Sequence, residues 1–187
     1  MNREQAERLL CEAAQLNPGA WVEHSRIVAA LAEKIAAKAG LDCDRAYCFG
    51  LLHDIGRRGG TMQARHAIEG YRFLSALGFA DAARICMTHT FQFQNADAIY
   101  DTWDCTAEEK EFVKNYLDSI VYDDDDRLIQ LCDALSTNVG NVFAEQKMVS
   151  SVMKFGFRDT TLQKWQAILD LKVYFDAKTG IDIYKLF

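Results

Sequence analysis

Residues 42–57 read Asp42-Cys43-Asp44-Arg45-Ala46-Tyr47-Cys48-Phe49-Gly50-Leu51-Leu52-His53-Asp54-Ile55-Gly56-Arg57. Asp42 is a helix cap, and the apolar residues Tyr47, Phe49, Leu51 and Leu52 follow it. This predicts a helix to about Ile55, with His53 and Asp54 near its C-terminal end and Gly56 opening a loop. Two groups that bind protons or metals therefore stand side by side at the end of an apolar helix.

The same helical period extends outward in both directions. Asn2 to Leu16 is an amphipathic helix ended by Asn17-Pro18-Gly19. Trp21 to Ala39 is the next, closed by Gly40, and His24 shares a stripe with Ile27, Val28, Leu31 and Ile35. Downstream, helices are predicted from about Met62 to Leu77 and from a cap at Asp81 to about Thr90. The capping box Thr106-x-x-Glu109 opens another, to about Asp118. Asp123 to Asp126 opens the next, ending near Asn138 and Gly140, and its acidic start suits the helix dipole. Gln146 to Phe155 and Thr160 to Thr179 complete the set, leaving a tail from Ile181 to Phe187. No run alternates with period two, so the expected fold is an all-α, compact helical bundle. The segment Phe91 to Cys105 lacks helical periodicity and carries Phe91, Phe93, Tyr100 and Trp103. It is either a substrate-covering loop or an aromatic cluster packed on the surface.

Composition narrows the function classes. Lys plus Arg is 21 and Asp plus Glu is 27 in 187 residues, a net charge of −6. That balance argues against a nucleic-acid groove. Half the residues are apolar, as in an ordinary globule. No uncharged stretch is long enough to span a membrane, and the N-terminus has no apolar signal region. The six cysteines form no Cys-x-x-Cys pair, and we read them as reduced thiols of a cytoplasmic protein.

Only four histidines occur, and each lies on or beside a different predicted helix: His24, His53, His66 and His89. Asp133 lies in the apolar run Leu128 to Leu135, where an unpaired carboxylate is costly. A metal, an arginine or a set of N–H donors would satisfy it.

The order His24, His53-Asp54, His66, His89, Asp133 resembles the HD-domain superfamily of metal-dependent phosphohydrolases. The contexts agree too: Glu23-His24-Ser25, Gly50 to Arg57, His66-Ala67-Ile68-Glu69-Gly70, Ile85 to His89, and Leu131 to Ser136. The resemblance spans about residues 20 to 140. We therefore expect one HD-type domain over residues 1–187, with the helices of 146–187 packed on its core. The resemblance implies that His24, His53, Asp54 and Asp133 hold one metal. It further implies that Asp54 bridges to a second ion held by His66 and His89.

A set of imidazoles and carboxylates without thiolate favours iron or manganese, and is compatible with zinc, nickel, cobalt or magnesium. Two such ions, about 3.5–4 Å apart, can hold a hydroxide and clamp a phosphate ester. Arg57 stands where the family often places a basic residue and is a candidate phosphate contact. Arg58 and Arg65 read as solvated loop residues. Ser136 and Thr137 lie about one turn beyond Asp133, facing the site or capping the helix.

The expected activity is hydrolysis of a phosphate ester or anhydride of a nucleotide or small metabolite. Two alternatives share these ligands: a mixed-valence di-iron oxygenase and a non-catalytic nucleotide-sensing module. The cyclic-dinucleotide branch fits poorly, since His89 is followed by Thr90-Phe91-Gln92 and Pro18 is the chain's one proline. The diadenosine-polyphosphate branch is similar in size and in its His-Thr pair. No sequence feature fixes an oligomeric state.

Overall fold

The apolar run before Asp133 becomes the central helix of the molecule. The computed structural model describes residues 1–100 and 102–187. Its helices are α1 (Arg3–Leu16), α2 (Ala20–Ala39), α3 (Cys43–Leu52), α4 (Arg65–Ala76), α5 (Ala80–Thr88), α6 (Ala107–Ser119), α7 (Asp124–Ala134), α8 (Ala144–Phe155) and α9 (Thr161–Thr179). Short 3-10 turns occupy Ile55–Gly59 and Ile183–Leu186. The fold is all-α. Among the described residues the only strand-like pairing is an isolated bridge between Ser136 and Asn141.

Helix α7 buries Leu128, Ile129, Leu131 and Cys132, and α2, α3, α5 and α9 pack around it. The opposing stripe of α2 contributes Val28, Leu31, Ala32 and Ile35. Helix α9 adds Ile168, Leu171 and Phe175 to the same core. No helix among the described residues is long and apolar enough to cross a membrane. All six cysteines are free thiols.

Several boundaries differ from the sequence reading. Helix α3 ends at Leu52, and Asp54 begins the tighter 3-10 turn that carries Arg57. Asp81 does not cap α5. Phe79 holds that position, while Asp81 lies in the first turn and accepts from Arg45 at 2.8 Å. Helix α7 stops at Ala134 rather than near Asn138, because Val142 N–H bonds the Leu135 carbonyl and turns the chain back. Helix α4 starts at Arg65 instead of Met62. Its first amides are capped from a distance: Asp104 accepts from Gln63 N–H and Arg65 N–H at 2.8 and 2.7 Å.

That cap belongs to the non-helical segment 91–105. Asp101, within it, lies outside the described residues. Phe91, Ala96 and Ile99 are buried with Ile68, Met87, Val113 and Leu117 in a second apolar cluster. Thr90, Gln92 and Tyr100 instead face the main cavity. The segment is thus a packed satellite that also supplies one wall.

Candidate metal centre

Helix ends deliver the candidate ligands. His24 is the fifth residue of α2, His53 and Asp54 directly follow α3, and His66 is the second residue of α4. His89 directly follows α5, and Asp133 is the penultimate residue of α7.

Two glycines let these ends meet. A Cβ on Gly50 would lie 2.7 Å from the Ala29 Cα, so α3 crosses α2 backbone to backbone. A Cβ on Gly56 would lie 2.0 Å from the His66 carbonyl oxygen, an impossible contact. Only glycine lets the turn after Asp54 lie against the start of α4.

The imidazoles gather with ring centroids 4.9–5.2 Å apart along the chain His24, His53, His89, His66. Three of them are oriented by the carbonyl three residues before each ring. His53 Nδ1 meets the Gly50 carbonyl at 2.7 Å, His89 Nδ1 meets the Cys86 carbonyl at 2.9 Å, and His66 Nδ1 meets the Gln63 carbonyl. A carbonyl only accepts, so Nδ1 carries the proton in each ring and Nε2 presents a lone pair. This is the outer-shell arrangement that fixes metal-binding histidines.

The lone pairs converge on Asp54. His66 Nε2 lies 3.1 Å and His89 Nε2 3.7 Å from Asp54 Oδ1. The two Nε2 atoms are 3.2 Å from each other. His53 Nε2 approaches Asp54 Oδ2 at 3.9 Å. His24 Nε2 donates to Asp133 Oδ1 at 2.9 Å. Two groups of ligand atoms result, His24-His53-Asp54 and Asp54-His66-His89, with Asp54 common to both. Asp133 lies outside both and joins through His24; about a quarter of its side chain is exposed.

Electrostatics favour the metal-binding protonation states. Burial pushes His66 and His89 down to about 4 and lowers His53 as well, so all three rings are neutral near pH 7. Burial opposes the charge on Asp54, yet Arg57 and the surrounding imidazoles hold its carboxyl well below the usual carboxylate range. At Asp133 burial is likewise outweighed, by the His24 hydrogen bond and then by nearby Lys147.

The expected roles of the flanking residues divide. Arg57 faces the cavity, but its Nε binds Asp54 Oδ2 at 2.8 Å and its Nη1 binds the Met62 carbonyl at 2.9 Å. Its first task is to charge and orient Asp54. Arg58 stacks on Phe73, and Arg65 pairs with Glu69 and Glu109, both away from the centre. Ser136 is buried and donates to Asn141, while Thr137 lines the cavity. Asp123 and Asp126 form a capping box, and Asp126 is buried against Arg84 and Thr88.

Sequence reasoning missed Gly50 and Gly56 as packing devices, Asp104 as a cap, and Lys147, Ser151 and Lys154 of α8 as cavity residues. The α8 residues carried a signal, since spacings of four and three put them on one helix face. The cap carried none, because it joins segments about forty residues apart.

The donor set fits a divalent cation. His53 Nε2 and Asp54 Oδ1 are buried without a hydrogen-bond partner, and lone pairs facing one another at such distances repel unless a positive charge lies between them. The family model described as HD domain matches residues 21–138, more than half of the chain. Neither a curated protein nor a solved structure matches the chain.

Proposed function

The chain belongs to the HD-domain family, a superfamily of metal-dependent hydrolases, and from that premise we propose that it hydrolyses a phosphate ester or anhydride of a nucleotide or small metabolite. The observation that carries this reading is the pair of ligand groups sharing Asp54 on the floor of a cavity with basic walls. Divalent ions held by His24, His53, Asp54, His66, His89 and Asp133 would supply Lewis-acid charge and an ionised water.

The chain's own residues do the rest. Arg57 keeps Asp54 ionised and fixes the carboxylate that serves both ligand groups. The carbonyls of Gly50, Gln63 and Cys86 hold three rings with Nε2 inward. The cavity, about 760 Å³, has the size of a small-molecule site. Trp21, Tyr100 and Phe155 are aromatic side chains among its lining residues, with Phe155 stacked on Tyr100.

The test is elemental analysis and phosphohydrolase assay of His53→Ala and Asp54→Ala. Both are expected to lose bound metal and at least about a hundredfold in turnover. Wild-type metal content and turnover in both variants would overturn the reading. Oxygen uptake without phosphate release from any ester would replace it with the di-iron oxygenase.

A further inference from the structure

Away from the candidate ligands, the cavity wall carries lysine side chains. Among the described residues its acidic lining residues are Asp54 and Asp133, both in the candidate ligand set. Its cationic lining residues are Arg57, Lys147, Lys154 and Lys164. In a chain of net charge −6 this wall is set apart from the rest of the surface.

Two of these cations come from α8, beyond the segment matched by the family model. Lys147, Ser151 and Lys154 are spaced by four and three residues, so they form one stripe, and all three line the cavity. The stripe rises about 10 Å along the helix. Lys147 stands at its inner end, on the same cavity wall as Asp133 and Ala134. Its ammonium donates to the Ser136 carbonyl at 2.6 Å, which uses one of three donors. Among the described residues neither Lys147 nor Lys154 pairs with a carboxylate, and both line the cavity without an acidic neighbour in an ion pair. Lys164, on α9, holds the Thr90 and Ala98 carbonyls and fixes the loop wall.

We propose that the Lys147-Ser151-Lys154 stripe of α8 reads a second phosphate, so that the substrate class is molecules carrying two or more phosphates. This rests on the phosphohydrolase reading: one phosphate takes the centre beside Asp54 and Arg57, and the next is held on α8. Lysine ammonium groups and a serine hydroxyl suit a phosphate whose position varies, because they bind as point charges and rotating donors.

The test compares methylenediphosphonate with methylphosphonate, by calorimetry, on manganese-loaded protein without excess metal. Wild type is expected to bind the diphosphonate at least about tenfold more tightly. Lys154→Ala, at an exposed position, loses about threefold of that preference, and Lys147→Ala about tenfold. Metal content, measured on the same samples, reports whether the floor of the cavity is intact. Equal affinity of wild type for the two probes overturns the proposal. So does an undiminished diphosphonate preference in the metal-replete Lys147→Ala, Lys154→Ala double variant. Failure of the hydrolase reading looks different: no phosphate is released from any ester, while the diphosphonate preference and its loss in the lysine variants persist. That pattern would retain α8 as an anion-reading helix.

Discussion

The floor and the α8 wall of the cavity are built on opposite terms. On the floor, the ends of five helices converge, with close backbone contacts at Gly50 and Gly56, and His53, Asp54, His66 and His89 are nearly inaccessible. On the wall, α8 buries only Ala144 and Met148, and leaves Val149 and Met153 exposed. A metal centre needs ligand atoms fixed within a fraction of an ångström, which buried backbone packing provides. A recognition surface needs charge and adaptability, which long side chains on a lightly packed helix provide. Under the proposed function, the floor would supply the chemistry and the wall the specificity.

The largest expected effect tests how completely the floor depends on neutral, buried histidines. His66 and His89 titrate at about 4 in the fold, against about 6.5 when exposed. As pH falls below about 6.5 the unfolded chain takes up protons first, so metal-free protein loses stability down to about pH 4. Each ring accounts for about 3 kcal/mol, an order-of-magnitude figure. Asp54 and Asp133, held low, add loss only below about pH 4. Urea melts of chelator-treated protein at pH 7, 5.5 and 4 measure this, and a flat profile would contradict it.

The next effect tests the backbone approach. Gly56→Ala drives a methyl group into the His66 carbonyl. We expect a loss of about 3 kcal/mol, together with loss of bound metal. An alanine variant with wild-type melting and metal content would show that the floor yields as easily as the wall.

The smallest effect separates the two halves of the floor. Asp104→Ala removes the acceptor for the Gln63 and Arg65 amides, which lead into α4 just before His66. A cost of about 1 kcal/mol is expected. Metal should be lost first from the Asp54-His66-His89 group, reducing stoichiometry rather than abolishing binding. Equal loss from both groups would mean that the floor responds as one unit.

Much of this molecule is legible from local pattern. The capping boxes at Thr106 and Asp123 and the left-handed Gly40 and Gly180 stand where the helical periodicity places them. Helix stops are less legible when a distant contact sets them. The end of α7 depends on the bond between Val142 and Leu135, and the start of α4 depends on Asp104. The loop 91–105 resisted a single reading because Phe91 and Ile99 face one way and Gln92 and Tyr100 another.

By itself the sequence determined the helical class and the ordered set His24, His53, Asp54, His66, His89 and Asp133. Periodicity and residue chemistry are local properties, written in neighbours three and four positions apart. Only the tertiary structure decided that Asp54 is common to both ligand groups, that Arg57 binds Asp54, and that α8 turns Lys147 and Lys154 toward the same cavity. Those facts depend on how closely backbones far apart in the chain can approach. The bare Cα atoms of Gly50 and Gly56 permit that approach, and no periodicity encodes it.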